Sequence, residues 1–243
     1  MNKRICTLLA GFALVLTGLT GCDGASSSVE GSAAASSNGS GSGDSSAVQG
    51  STSPMAVGAT CHSTNPDDIC IGMKVVVFKD SRGNAVSDEA TTLANLAGIN
   101  KIWKQCGIAF QVEKYETVNP ADMGLAFGGS SAEAETSATR KAYEDDNRFL
   151  VVTTGAWNVQ KNAWTASPGA GPYGAVMEGS IASGYSEIYA HELGHYLNLD
   201  HTSQGATANV MSATIAHSSV QLNASQCTEA RATAKSFWSA MLR

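Results

Sequence analysis

The stretch that decides the fold runs from residue 191 to residue 201 and reads HELGHYLNLDH. His191 and His195 are four residues apart, so on a helix they lie one turn apart on the same face. Two imidazoles in that arrangement can bind one metal ion. Glu192 lies beside the first histidine on a different face, where its carboxylate can act as general base on a metal-activated water. The spacing therefore predicts a metal site on a helix.

A third histidine, His201, follows six residues after His195. If the helix continued, His201 would lie about 9 Å further along the axis and would point away from the pair. We therefore expect the helix to end between these two histidines and the chain to turn back. Asn198 is the natural place for the turn, because a left-handed residue after a helix is usually glycine and next most often asparagine.

Three neutral imidazoles and one open coordination position are typical of a catalytic zinc site rather than a structural one. The alternative is a surface helix that carries three unrelated histidines. The leucines within and beside the motif argue against it, since they supply the buried side that such a helix needs. These residues are Leu193, Leu197 and Leu199.

The motif resembles the signature of the metzincin clan of zinc peptidases, His-Glu-x-x-His-x-x-Gly-x-x-His followed by a Met-turn. The matching residues are His191, Glu192, His195, His201 and Met211. Asparagine replaces the signature's glycine, and it can adopt the same backbone angles. The resemblance implies one catalytic Zn²⁺ ion held by the three histidines, with Glu192 as the base and Met211 in a hydrophobic floor beneath the metal. Plain core packing is the alternative role for Met211.

The remaining pattern predicts one mixed α/β domain over residues 59–243. Runs rich in β-branched and apolar residues predict strands over 71–78, 108–112, 149–153, 163–167 and 174–178. Apolar residues at helical spacing predict helices over 87–105, 132–147, 184–197 and 223–242, with Ser87 and Asn223 as N-caps. The resemblance implies a mixed twisted sheet with an antiparallel edge strand, an active-site helix and a C-terminal helix.

The resemblance also places the clan's edge strand, which pairs antiparallel with a bound peptide, near residues 162–167. Residues just after the Met-turn are expected to shape the pocket beside the cleaved bond. Trp164, like Trp157, can instead belong to the core. The candidate substrate-binding residues are Ala163, Trp164, Thr165, Ala213 and Thr214.

The N-terminus has the anatomy of an export signal. Two basic residues precede an uncharged apolar run over residues 5–19, which is short for a bilayer span. Residues 19–22 read LTGC and resemble the lipobox of bacterial lipoproteins. The resemblance implies that residues 1–21 are removed and that a lipid on Cys22 anchors the exported protein to a membrane. An ordinary cleaved signal and an uncleaved anchor helix are the alternatives.

Between the signal and the domain lies a segment of small residues. Residues 24–53 consist mostly of Ser, Gly and Ala. Such a composition cannot bury enough apolar surface to offset the entropy of ordering, so residues 22–58 are expected to form the lipidated cysteine and a flexible tether. An inhibitory propeptide is the alternative, but it would require ordered contacts that this composition does not favour.

Four cysteines remain when the two in the signal segment are set aside, and four cysteines allow three pairings. We favour Cys61 with Cys70, closing a short loop, and Cys106 with Cys227, joining the first helix to the last. The alternative is that Cys61 binds the zinc as an inhibitory thiolate. The even number in an exported protein favours disulfides.

The net charge of −6, from 15 basic and 21 acidic residues, argues against nucleic-acid binding, because phosphates require clustered Lys and Arg. The family resemblance implies a protein or peptide substrate, and we expect the protein to be a monomer. The hypothesis is an exported, membrane-tethered zinc endopeptidase. The alternatives are a zinc amidase acting on cell-wall peptide and an inactive surface binding module, and Glu192 argues against the latter.

Overall fold

A computed structural model describes residues 61, 65–129, 132–158, 162–181, 184–203 and 206–243. The predicted signal, lipidated Cys22 and tether lie outside the described residues. Within the described part of the chain, no helix is both long and apolar enough to cross a bilayer.

Five strands form one mixed sheet. They are β1 (Ile69–Phe78), β2 (Ile108–Val118), β3 (Phe149–Thr154), β4 (Ala163–Thr165) and β5 (Ala175–Glu178). Their spatial order is β2-β1-β3-β5-β4. The first four strands in that order run parallel, and β4 runs antiparallel to β5 at the edge. The predicted mixed α/β class and antiparallel edge strand are confirmed.

Four α-helices accompany the sheet in the described residues, each shorter than predicted. They are α1 (Glu89–Trp103), α2 (Glu133–Tyr143), α3 (Ser186–Tyr196) and α4 (Ala224–Ser236). A 3₁₀ turn over Ser239–Met241 replaces the predicted end of α4. The capping box of Asn223 with Gln226 is confirmed.

The N-cap of α1 differs from the prediction. Asp88, not Ser87, caps the helix, and its carboxylate accepts a hydrogen bond of 2.7 Å from the Thr91 amide. A carboxylate at this position also interacts favourably with the positive end of the helix dipole. Ser87 instead uses its carbonyl oxygen to accept a hydrogen bond from the Tyr115 hydroxyl.

The sheet separates two hydrophobic clusters. The larger cluster lies between the sheet and α1, α3 and α4, and the smaller one lies on the face that carries α2. Alternation along β1 produces this division, because Met73, Val75 and Val77 enter the larger cluster while Val76 and Phe78 enter the smaller one. The motif over residues 191–201 lies on the face with the larger core, because Leu193, Leu197 and Leu199 belong to the larger cluster.

Two disulfides join the favoured pairs. Cys61 is bonded to Cys70, and Cys106 is bonded to Cys227 across 121 residues. The second bond attaches α4 to the turn that follows α1. Disulfides persist in oxidising compartments, so this pair of bonds indicates an extracytoplasmic environment.

Candidate active site

The three histidines of the motif converge. α3 carries His191 and His195, His201 follows the end of this helix, and one ligand nitrogen from each lies within 4.8 Å of the others. The Nε2 atoms of His191 and His195 are 3.0 Å apart. His191 and His195 are buried, whereas His201 is partly exposed. The described residues thus contain a three-histidine group that can hold a metal ion.

The end of α3 explains how His201 reaches this point. Asn198 adopts a left-handed conformation with φ of 68°. The Leu199 amide donates to the Gly194 carbonyl at 2.9 Å, and the Asn198 amide donates to the His195 carbonyl at 3.0 Å. These two bonds form a Schellman motif, which ends a helix and reverses the chain. The predicted break at Asn198 is confirmed.

Backbone carbonyls orient the two helical imidazoles. His191 Nδ1 lies 2.6 Å from the Val210 carbonyl oxygen, and His195 Nδ1 lies 2.7 Å from the Leu199 carbonyl oxygen. A carbonyl only accepts, so each Nδ1 carries the proton and each Nε2 presents a lone pair. The third ring adds His201 Nε2, which is buried and has no hydrogen-bond partner within the described segments. Lone pairs facing one another repel, and a shared cation removes that repulsion.

The rings are also neutral at neutral pH, as metal ligands must be. Burial lowers the pKa of His191 to about 4. Burial likewise holds the pKa of His195 well below its ordinary value and lowers the pKa of His201. The donor set of three neutral imidazoles therefore fits a divalent transition metal.

Glu192 follows His191 directly on α3 and is wholly buried. Its Oε2 accepts a hydrogen bond of 2.5 Å from the Thr165 hydroxyl, while its Oε1 has no partner in the part of the chain that the structure describes. Burial raises the pKa of Glu192 to about 8, against the opposing effect of the Thr165 hydrogen bond. A nearby metal cation would favour the charged carboxylate. One carboxylate oxygen is therefore held in place, and the other is left for a reacting group.

Met211 lies in a tight turn under α3 and is fully buried. Its amide donates to Asn209 Oδ1 at 2.8 Å, and its carbonyl accepts from the Thr202 amide at 2.7 Å. Its sulfur packs against Gly194, where a Cβ atom would overlap with it. The turn therefore packs beneath α3 and is hydrogen-bonded to the segment that carries His201.

Sequence reasoning missed several residues that support this site. Asn209 and Gln226 exchange two side-chain hydrogen bonds of 2.9 and 3.0 Å, which join the methionine turn to α4. Gly194 could have been found, because a glycine inside a helix often marks a close approach. Val210 and Leu199 orient the imidazoles through their backbone carbonyls, so the identity of their side chains could not have indicated this role.

The predicted substrate-binding residues divide into three groups. Ala163 and Thr165 face α3, since Ala163 belongs to the larger cluster and Thr165 contacts Glu192. Trp164 points the other way and packs against the smaller cluster. Ala213 and Thr214 are exposed just beyond the methionine turn. Trp157 belongs to the core, which was the alternative to a place in the substrate cleft, because it is buried in the smaller cluster.

No family model matches the chain, and no curated protein is significantly similar to it in sequence. Solved structures do resemble it. Metalloproteinase-II from Bacteroides fragilis has 13% identity and a TM-score of 0.48 over 70% of this chain and 59% of its own. A chain from a structure of a chaperone–substrate complex has 12% identity and a TM-score of 0.49 over 72% and 35%.

An archaemetzincin from Methanopyrus kandleri has 12% identity and a TM-score of 0.47 over 70% of this chain and 97% of its own. The chain thus spans about three fifths of the length of metalloproteinase-II and about one third of the length of the chain from the chaperone–substrate complex. At these identities and TM-scores, the likenesses decide neither the family nor the activity of the chain.

Proposed function

We propose that the protein is an exported zinc-dependent endopeptidase, tethered to a membrane through a lipid on Cys22. One observation carries the catalytic part. Three neutral imidazoles converge on one point, and a buried carboxylate with one unpaired oxygen lies beside them. This is the donor set and the base that metal-assisted hydrolysis requires.

Zinc is the metal that best fits the donors, since it accepts three histidine nitrogens and keeps a further position open. His191, His195 and His201 would hold it. When bound, the ion would supply Lewis-acid activation of a water and of the substrate carbonyl. The carbonyls of Val210 and Leu199 keep two of the imidazoles in the tautomer that binds metal.

Glu192 then performs the proton transfers. Its free Oε1 accepts a proton from the attacking water, and the same carboxyl later delivers that proton to the leaving amine. Because Oε2 is already bonded to Thr165, the oxygen available for the transfer is Oε1. The buried surroundings strengthen the electrostatic contribution of the carboxylate.

Peptide binding is assigned to the edge of the sheet. β4 is the last strand of the sheet and pairs with β5 along one side. An extended peptide can add to the other side through main-chain hydrogen bonds, without a defined side-chain sequence. Ala163 and Trp164 would contribute through their backbone, and the exposed Ala213 and Thr214 would face the substrate beyond the methionine turn.

The rest of the proposal concerns the part of the chain before residue 61. A lipid on Cys22 and a small-residue tether would hold the catalytic domain off the membrane. The proposed protein works as a monomer and does not bind nucleic acid. Cys22→Ala should abolish fatty-acid labelling in growing cells, and a variant that is labelled like the wild type would remove the lipid anchor from the proposal.

The catalytic proposal is tested on the full chain, purified in detergent and loaded with zinc. We expect about one zinc per chain and cleavage of casein or of members of a mixed peptide library. Glu192→Ala should retain the zinc and lose at least about 100-fold in kcat, the low end of the usual contribution of a general base. Full peptidase activity in Glu192→Ala would overturn the role of the carboxylate.

The same assay includes muropeptides as a second substrate class. Cleavage confined to muropeptides would make the protein a cell-wall amidase instead. Bound zinc with no Glu192-dependent cleavage of either substrate would leave a binding module, and the endopeptidase proposal would be wrong.

A further inference from the structure

We propose that Thr165 is a positioning residue that holds the general base, and not a residue that contacts the substrate. The inference rests on the proposed function, in which Glu192 is the base. Thr165 lies 27 residues before Glu192 in the chain, and its hydroxyl donates to Glu192 Oε2 at 2.5 Å. This contact is the only hydrogen bond recorded for the Glu192 carboxylate within the described residues.

The location of Thr165 makes the contact rigid. β4 pairs antiparallel with β5, where Thr165 lies opposite Ala175 and Ala163 lies opposite Met177. Alternation along β4 directs Ala163 and Thr165 towards α3 and Trp164 towards the other face. Thr165 is 6% exposed, and its β-branched side chain has few rotamers available. The hydroxyl therefore has a defined position relative to the helix.

A hydrogen bond to one oxygen determines the orientation of the whole carboxylate. The final torsion of a glutamate side chain is broad and nearly two-fold, so packing alone does not select one orientation. Binding Oε2 to Thr165 directs Oε1 to the opposite side of the carboxylate, where no described residue bonds to it. A base must lie within hydrogen-bond reach of its proton, and an error of about 1 Å is costly.

The same threonine cannot readily serve the substrate as well. Its hydroxyl has one proton, and that proton is committed to Glu192. Its side chain is buried under the sheet edge, where an added peptide strand would meet the backbone instead. Thr165 therefore contributes to turnover and not to affinity.

The test uses three variants of the full, zinc-loaded chain. Thr165→Val keeps the shape and removes the hydroxyl, and Thr165→Ser keeps the hydroxyl. Thr154→Val is the matched control, because it removes another buried threonine hydroxyl, on β3, that bonds to Trp157 and not to the site. Each variant is measured for zinc content, thermal midpoint, kcat and KM.

Thr165→Val should lower kcat about 10- to 100-fold, as removal of a supporting partner usually does, and leave KM within about twofold. Thr165→Ser should stay within about threefold of the wild type in kcat. Thr154→Val should lower the thermal midpoint without a change in kcat. Unchanged kcat with a raised KM in Thr165→Val would assign the residue to the substrate. Equal losses in the Val and Ser variants would assign it to packing.

A spectroscopic measurement keeps this inference separate from the proposed function. Infrared difference spectra between each protein and the same protein carrying Glu192→Gln isolate the carboxylate bands of Glu192 without any turnover. Thr165→Val should shift these bands and Thr165→Ser should not. If the bands are the same in all three proteins, the positioning role is wrong, whether or not peptides are cleaved. Full activity in Glu192→Ala would instead defeat the proposed function, and Thr165 would then orient a carboxylate that is not the base.

Discussion

Two sets of buried polar side chains lie on opposite faces of the same sheet. On the α2 face, Lys74 donates to the Tyr143 carbonyl at 3.0 Å and lies 3.6 Å from the Glu116 carboxylate. On the other face, His201 Nε2 and Glu192 Oε1 have no hydrogen-bond partner among the described residues. The chain itself supplies partners for Lys74. Buried polar atoms to which no described residue bonds also occur on the α2 face, at Arg140 and Tyr143. It is the convergence of three histidine nitrogens within 4.8 Å of one another that distinguishes side chains buried for a ligand.

Loss of a metal ligand should produce the largest effect. His201→Ala should weaken zinc binding at least about 100-fold, since even an outer partner of a ligand is worth 10- to 100-fold. Zinc affinity is measured by competition with a chromogenic chelator. A chelator should also lower the thermal midpoint of the wild type and leave that of His201→Ala unchanged, because metal binds only the folded site.

His217→Ala is the control for this experiment. His217 is exposed, stacks on Tyr185 and lies 3.4 Å from Glu187. It should bind zinc as the wild type does. Equal zinc affinity in His201→Ala and the wild type would show that the third ligand is assigned wrongly.

Lys74→Met should lower stability through the α2 face of the sheet and leave the histidine site on the opposite face unchanged. Removing the ammonium leaves Glu116 with less compensation in a largely buried setting, so we expect a loss of about 2–3 kcal/mol in the free energy of unfolding. Zinc content and kcat should not change. Urea unfolding measures the first quantity, and zinc loss in this variant would show that the two faces are not independent.

Lys114→Met is the matched control, because Lys114 pairs with the same Glu116 at 2.6 Å but is far more exposed. A pair near the surface contributes little, so the expected loss is below about 1 kcal/mol. Equal losses for the two lysine variants would contradict the importance of burial.

Gly194→Ala should disturb the packing beneath the metal-binding helix. The added Cβ would overlap with the Met211 sulfur, and overpacking a core costs about 1–3 kcal/mol. Met211→Leu shortens the opposing side chain and should recover part of the loss in the double variant. Calorimetry of the wild type, the two single variants and the double variant gives the coupling free energy between Gly194 and Met211. If the two losses in the free energy of unfolding simply add, the two residues are not in steric contact.

Asn198 should show the smallest effect. Asn198→Ala should cost about 1 kcal/mol, because alanine disfavours the left-handed conformation, whereas Asn198→Gly should change stability by only a few tenths of a kcal/mol. Both variants lose the 2.7 Å hydrogen bond from Asn198 Nδ2 to Glu229, which lies in an exposed region, so the difference between them reports the backbone angle. Equal losses in the two variants would mean that this bond, and not the backbone angle, matters at the turn.

Prediction from the sequence succeeded where the signal is local. The five strands and four helices occur near their predicted positions, and the left-handed residue at Asn198 follows from spacing between His195 and His201. Helix ends were less accurate, as with Ser87 and Asp88, because neighbouring polar residues compete for one cap.

The sequence by itself determined which residues can form the metal site, because the spacing of His191, Glu192 and His195 on one helix is a local property. Only the tertiary structure decided what holds them. The contacts from Thr165 to Glu192 and from Val210 to His191 join segments 27 and 19 residues apart. Such contacts depend on how the edge strand and the methionine turn pack against α3, and no local pattern in the chain encodes that packing.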